Sequence, residues 1–139
     1  MIILDTNVIS ELMRSEPDAA VFAWVAAQLE YELYTTSINK AEILYGIEAL
    51  PQGRRRAALA GRAEAMFNED FAEKVVPFDE TAAALYAQIV VKRQRAGRPI
   101  EILDAQVAAI ASMLGADVAT RNVDDFTDCG LTIINPWVV

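Results

Sequence analysis

The sequence predicts an α/β fold in which a parallel sheet is covered by helices on both faces. Five short apolar runs, rich in β-branched residues, alternate with longer segments of helical periodicity. The longest apolar stretches are interrupted by charges, so none approaches the roughly 18 residues of a membrane span. Because no repeat, low-complexity tract or linker divides the chain, we expect one domain over residues 1–139.

The five strands are predicted at residues 2–4, 33–35, 74–76, 117–120 and 131–134. In an open parallel sheet, ligands bind beyond the carboxyl ends of the strands. Asp5 follows the first strand and Thr120 ends the fourth, with Asn122 shortly after it. We therefore expect functional side chains at this edge.

Six helices are predicted between the strands from apolar stripes of 3.6-residue period. We expect Ser37 to cap the third helix, Asp79 to cap the fifth and Gly115 to end the sixth. The predicted helices cover about residues 6–14, 18–29, 37–50, 54–68, 79–97 and 102–114.

The composition excludes several classes of site. The chain has no histidine, which removes the commonest general base and zinc ligand. Cys129 is the single cysteine, so no internal disulfide forms; with no signal-peptide pattern, we expect a cytoplasmic protein. A net charge of −8 argues against a simple nucleic-acid binder, which normally carries a basic surface.

Three carboxylates are the strongest candidates for a functional site. Asp5 follows the first strand, and Asp104 begins the apolar stripe of the sixth helix. Glu42 shares a helical face with Ile38 and Tyr45. Each also has a structural explanation: a helix cap for Asp5, an arginine partner for Glu42 and a helix-dipole charge for Asp104.

Three carboxylates at one sheet edge would repel one another, and their burial adds to the cost. A bound cation resolves both, and oxygen ligands without His or Cys favour Mg²⁺ or Mn²⁺. Such an ion normally takes one or two carboxylates plus water and substrate phosphate, which predicts phosphodiester cleavage. A metal-activated water, oriented by Asp5 or Asp104, would leave 5′-phosphate and 3′-hydroxyl ends.

Four segments carry a family resemblance: IILDTNVIS, SINKAEILYGI, ILDAQVAAIA and VATRNVDDF. In this order, and as far as the terminal INPW, they resemble PIN-domain proteins, in particular VapC-type toxins of the FitB-like branch. The resemblance implies a three-layer α/β/α domain with a central parallel sheet of about five strands. It also implies an endoribonuclease that depends on Mg²⁺ or Mn²⁺.

The three candidate carboxylates match the family's most regular acidic positions, with Asp5 and Asp104 as metal ligands. The family's fourth acidic position is occupied by Asn122, whose carbonyl could coordinate an ion or position a water. Thr6 and Thr120 match hydroxyl positions that support the site.

The resemblance further implies a cognate VapB-like antitoxin, which would wrap the toxin and bind operator DNA on its behalf. It implies a homodimer and, with antitoxin, a larger assembly, up to a tetramer of dimers. RNA would be the substrate, and no membrane partner is expected.

Basic and aromatic residues offer further candidates for RNA contact. A phosphate-binding cluster is predicted just before the sixth helix, and Arg54–Arg56 is a second basic group that is a weaker candidate; the alternative for both is a solvated helix end. The cluster consists of Lys92, Arg93, Arg95 and Arg98. Trp24, Tyr31, Tyr34 and Trp137 could stack on bases, although packing or a dimer interface explains them better.

Two rival functions remain open. The first is another acidic Mg²⁺ enzyme, such as a phosphatase or receiver domain. A phosphatase with an aspartyl nucleophile needs a second Asp two residues after the first, and two residues after Asp5 this chain has Asn7. The second is a catalytically weak binding module that acts in a complex, which Asn122 favours.

Overall fold

The computed structural model describes all residues, Met1–Val139. Five parallel strands form one sheet in the order β3-β2-β1-β4-β5. The strands are β1 (Ile2–Leu4), β2 (Leu33–Thr36), β3 (Val75–Val76), β4 (Asp117–Ala119) and β5 (Ile133–Ile134). The predicted parallel sheet is thus confirmed, with each strand within two residues of its expected bounds.

Six helices connect the strands, as predicted. They are α1 (Thr6–Leu12), α2 (Ala19–Ala26), α3 (Ser37–Glu48), α4 (Arg54–Ala65), α5 (Glu80–Arg95) and α6 (Ile102–Leu114). Shorter helical turns occupy Glu30–Glu32, Met66–Asp70 and Val123–Phe126. None of the helices combines the length and the apolar character needed to cross a membrane.

Adjacent residues of the central strand separate two apolar cores. Ile3 and Leu4 are both fully buried and point to opposite faces of the sheet, as alternate strand residues do. Ile3 packs with residues of α5 and α6, whereas Leu4 packs with residues of α1, α2 and α3 and with Phe67 beyond α4. The predicted three-layer α/β/α arrangement is therefore confirmed.

The strand order reverses direction beside β1. From β1 the chain passes to β2 and β3 on one side, then returns to place β4 and β5 on the other. Such a reversal opens a crevice at the carboxyl ends of the two central strands. Asp5 and Thr120 directly follow β1 and β4, and the Asp5 N–H donates to Ala119 O at 3.0 Å.

The cap of α3 differs from the prediction. Thr36, not Ser37, is the N-cap: its backbone is extended, and its hydroxyl accepts from Asn39 N at 3.2 Å. The shift arises because β2 runs directly into α3 without a loop. Asp79 caps α5, and Gly115 ends α6 in the left-handed region with φ 63°, both as predicted.

Candidate active site

Asp5 is held by four neutral donors at the end of β1. One carboxylate oxygen, Oδ1, accepts from Thr6 N at 2.9 Å and Asn39 Nδ2 at 3.0 Å. The other, Oδ2, accepts from Thr120 Oγ1 at 2.8 Å and Asn7 Nδ2 at 3.3 Å. The side chain is only 5% exposed and forms no ion pair. Its orientation is therefore fixed while its charge stays unneutralised by the chain.

Asn39 is a site residue that the sequence analysis missed. It is fully buried, its Oδ1 accepts from the Thr36 hydroxyl at 2.6 Å, and its Nδ2 donates to Asp5 and to Thr6 Oγ1. The buried face of α3 consists of Asn39, Ile43 and Ile47. The sequence pattern that could have indicated this role is an asparagine on the apolar stripe of a helix, because a buried amide needs hydrogen-bond partners for both its oxygen and its nitrogen.

The predicted face of Glu42 was wrong, although Glu42 does lie at the site. Tyr45, expected on the same buried face, is 76% exposed. Glu42 is half-buried at the border of the true face, and its Oε1 accepts from the Thr6 hydroxyl at 2.8 Å. Thr6 therefore connects Glu42 to the group around Asp5.

Asp104 lies in the first turn of α6 and carries the largest resolved change in acidity. Burial, followed by the negative charges of Asp5, Asp125 and Glu42, raises its pKa to about 7. Burial also raises the pKa of Asp5 and of Glu42, against the lowering effect of their hydrogen bonds. The folded chain thus brings together acidic groups whose ionised forms are all disfavoured.

The three carboxylates line one cavity of about 550 Å³ together with Asn122. None of the three forms an ion pair with Lys or Arg. Trp137 is the single hydrophobic residue among its eleven lining residues. The others are Asp5, Thr6, Asn7, Ser10, Glu11, Arg14, Glu42, Asp104, Arg121 and Asn122.

The donors of this cavity fit a hydrated Mg²⁺ or Mn²⁺ ion. They are oxygen atoms, and the like charges gain from a cation between them. No three acidic or thiol side chains are arranged to hold an ion by direct contact alone. Mg²⁺ commonly takes one or two carboxylates, with water completing the shell, and Asp5 and Asp104 are the residues that could hold such an ion here.

Comparison with known proteins identifies the family. Residues 2–129 match the family model of the PIN domain. The chain belongs to the PIN domain family. It is 44% identical over 137 residues to the VapC ribonuclease Y4jK of Sinorhizobium fredii, covering 99% of this chain and 98% of that protein. It is 37% identical to Toxin FitB of Neisseria gonorrhoeae, covering 99% of each.

Solved structures agree with this PIN-domain assignment. The FitAcB structure from Neisseria gonorrhoeae matches with a TM-score of 0.93 and 37% identity over 100% of both chains. VapBC2 from Rickettsia felis, bound to a DNA fragment from its promoter, matches with a TM-score of 0.81 over 97% of this chain and 98% of that chain. At 20% identity, the second match shows the fold alone. The predicted resemblance to VapC-type and FitB-like proteins is confirmed.

Asn122, predicted at the family's fourth acidic position, is exposed, and its backbone N–H donates to Thr120 Oγ1 at 3.1 Å. Asp125 was not predicted as a site residue. Its charge contributes to raising the pKa of both Asp5 and Asp104, although it does not line the cavity. The helical turn Val123–Phe126 brings it back toward the site, a proximity that strand-end reasoning did not anticipate.

Arg93 does not fit the predicted phosphate-binding cluster. It is only 4% exposed, and its guanidinium donates to the carbonyl oxygens of Arg98, Asp125 and Thr127 at 2.6, 2.9 and 2.8 Å. A buried guanidinium with these acceptors cannot reach an RNA backbone. Arg93 instead ties α5 to the segment that carries Asp125.

The remaining predicted RNA contacts lie away from the carboxylates. Lys92 and Arg95 are exposed and line a separate cavity along α5. Arg98 lies 3.5 Å from Asp128, and none of these three lines the acidic cavity. Of the four predicted aromatic residues, only Trp137 lines it.

The raised pKa of Asp104 predicts how stability depends on pH. Between its ordinary value of 3.8 and the folded value of about 7, the folded state binds the proton more tightly, so stability falls as pH rises through this window. In metal-free protein near pH 8, Asp104→Asn should raise stability by about 1 kcal/mol, a figure reduced because the group is half-exposed.

Urea unfolding in EDTA across this pH window measures the effect. Glu64→Gln, which removes one exposed charge from α4 far from the carboxylates, is the control. A slope in Asp104→Asn equal to that of the wild type would contradict the prediction.

Proposed function

We propose that this PIN domain is a metal-dependent endoribonuclease, the toxin of a VapBC-type toxin–antitoxin module. The observation that carries the proposal is a polar cavity that Asp5, Glu42 and Asp104 line together, with none of the three in an ion pair with Lys or Arg. Relatives named as a VapC ribonuclease and Toxin FitB, matched over nearly the full chain, support the same activity.

Under this proposal, each polar residue has a distinct task. Asp5 and Asp104 bind Mg²⁺ or Mn²⁺, which when bound lowers the pKa of water and neutralises charge on phosphate oxygens. Thr120 and Asn39 keep the Asp5 carboxylate in position through the hydrogen bonds at 2.8 and 3.0 Å. Glu42 is held by Thr6 and can accept a proton from water. The exposed amide of Asn122 is available to a water or to the substrate.

The proposed partners follow from the relatives and from exposed apolar surface. The FitAB structure was solved with an IR36 DNA fragment. We propose a VapB-like antitoxin for this chain as well, with operator DNA bound through it. Phe22 on α2 is 60% exposed and is open to contact by such a partner. The resemblance to VapC-type toxins is our ground for also proposing a homodimer that joins larger assemblies with antitoxin; Tyr45 on α3 and Ile102 on α6 are 76% and 62% exposed and open to such contacts.

The proposed place of action is the cytoplasm, where RNA is available and the free Cys129 stays reduced. We treat the 139 residues as one functional domain.

A metal-dependence assay tests the proposal. Purified protein should cut RNA internally in Mg²⁺ or Mn²⁺, stop in EDTA and recover when the ion is restored, leaving 5′-phosphate and 3′-hydroxyl ends. Glu42→Gln should slow cleavage by roughly 100-fold if Glu42 accepts a proton. Cleavage that persists in EDTA, or cyclic phosphate ends, would refute the proposed mechanism.

Two further measurements distinguish the proposed ribonuclease from its two rivals, a phosphatase and a catalytically weak binding module. Rapid hydrolysis of a phosphomonoester with no RNA cleavage would identify a phosphatase. The second candidate is a catalytically weak binding module, favoured by the neutral Asn122 at the fourth acidic position. Antitoxin binding without metal-dependent cleavage would identify it.

A further inference from the structure

Arg121 is a basic residue at the acidic cavity, and its side chain forms no ion pair with the carboxylates there. It directly follows Thr120, whose hydroxyl lies 2.8 Å from Asp5 Oδ2, and it lines the same cavity. Yet its guanidinium forms no ion pair. The side chain lies instead over Trp137, with 5.0 Å between Cζ and the centre of the indole ring. The cavity therefore keeps its negative charge and has a cation at its rim.

The backbone around this pair is fixed on both sides. Arg121 N donates to Asn7 Oδ1 at 3.1 Å, and Asn7 also bonds Asp5. Trp137 N donates to Asn135 Oδ1 at 3.0 Å, in the turn just after β5. Because β4 and β5 are neighbours, the two side chains meet at the carboxyl edge of the sheet. The backbone of both residues is thus positioned before any ligand arrives, and the ring contact places the guanidinium beside Trp137, which lowers the entropy lost on binding.

The chemistry of the pair fits one ligand. The free face of a guanidinium stacks on an unpaired nucleobase, and its N–H groups donate to phosphate oxygens. An acidic cavity that takes a metal ion repels the neighbouring phosphates of an RNA strand, so a cation at its rim offsets that repulsion. Arg121 is exposed, which leaves this face open.

We propose that the Arg121–Trp137 pair binds the nucleotide next to the cleaved phosphate of single-stranded RNA. The base stacks on the guanidinium, which Trp137 supports from behind, and an adjacent phosphate accepts from its N–H groups. This inference rests on the proposed ribonuclease function and adds two residues to its substrate site. Arg121 thus takes the role of an RNA phosphate contact that the sequence predicted for Arg93, which is buried.

Binding of a short labelled single-stranded RNA tests the pair, in Mg²⁺ and in an Asp5→Asn background that is expected to slow cleavage. Arg121→Ala should weaken binding by about tenfold and reduce the slope of log affinity against log salt by about 0.7. Arg121→Lys should keep the slope but lose affinity, because lysine retains the charge without the stacking plane. A purely structural role of the pair would alter stability and leave the salt slope unchanged.

Lys40→Ala is the matched control. Lys40 also lies over an aromatic ring, at 5.4 Å from the centre of Phe67, but does not line the acidic cavity. Trp137→Phe, which keeps an aromatic ring, should bind more weakly than the parent and more tightly than Arg121→Ala. If Arg121→Ala matches Lys40→Ala in both affinity and salt slope, the proposed platform is overturned.

Wild-type cleavage distinguishes failure of this inference from failure of the proposed function. If the wild type cuts RNA in Mg²⁺ and Arg121→Ala cuts it with an unchanged KM, only the platform fails. If the wild type neither cuts nor binds RNA, both proposals fail. A raised KM with little change in kcat for Arg121→Lys supports the platform.

Discussion

Asp5→Asn is expected to reduce RNA cleavage by roughly 100-fold or more, because it removes the most buried charge of the proposed metal site. The substitution keeps the size of the side chain. It replaces one carboxylate oxygen with an amide N–H₂, which cannot accept a hydrogen bond. Both oxygens of Asp5 accept hydrogen bonds from neighbouring groups, at 2.8 to 3.3 Å, so two of these groups would face another donor. The readout is the rate of RNA cleavage in Mg²⁺, with thermal unfolding measured in parallel.

Asp79→Asn is the matched control for Asp5→Asn. Both residues cap a helix, but Asp79 is exposed and caps α5 away from the cavity. If the role of Asp5 were only to cap α1, both substitutions would leave cleavage intact.

In cells, growth arrest on expression should disappear with Asp5→Ala, and sequencing RNA ends from wild-type and Asp5→Ala cultures would identify the cut sites. Growth arrest that persists in Asp5→Ala would favour the binding-module alternative.

Arg93→Met is expected to lower stability by about 2–4 kcal/mol, because it leaves three carbonyl oxygens without their donor. Those oxygens belong to Arg98, Asp125 and Thr127. The melting temperature should fall by about 10 °C for a domain of this size. Arg93→Lys should recover only part of the loss, since one ammonium group cannot reproduce the planar guanidinium fork.

The exposed Arg95 supplies the comparison for Arg93. It lies two residues further along α5, so Arg95→Met removes the same charge without taking the donor from a backbone carbonyl that Arg93 serves. Urea unfolding of both variants at neutral pH measures the difference. Equal stability of the two variants would show that the three hydrogen bonds from the buried Arg93 to backbone carbonyls contribute nothing.

Local sequence patterns were enough to place the carboxylates. Asp5 follows an apolar strand, and Asp104 starts an apolar helix, so each position depends on neighbours within a few residues. Parallel strands then bring such ends to one edge, and the cavity does contain both side chains with Glu42. Their catalytic roles stay a prediction until the variants are measured.

Residues whose partners lie far along the chain were not predictable in the same way. Asn39 bonds Asp5 across 34 positions, and Arg93 bonds Thr127 across 34 positions. An arginine near other basic residues has the same local pattern whether its acceptor is a phosphate or a buried carbonyl. Only packing decides between them, and for Arg93 it favoured the interior. The contact between Arg121 and Trp137 depends in the same way on the pairing of β4 with β5.

The hydrogen bond from Thr120 to Asp5 joins residues 115 positions apart. At the usual pace of about 5–20 residues per second, a ribosome makes Asp5 roughly 6–23 s before Thr120. Throughout that interval the growing chain has β1 but no β4 beside it, so the Asp5 carboxylate lacks the hydrogen bond from the Thr120 hydroxyl. Under the proposed function, the site of a chain still being translated, next to messenger and ribosomal RNA, is therefore incomplete. The ribosome that produces it is exposed to the finished site only after β4 has left the exit tunnel.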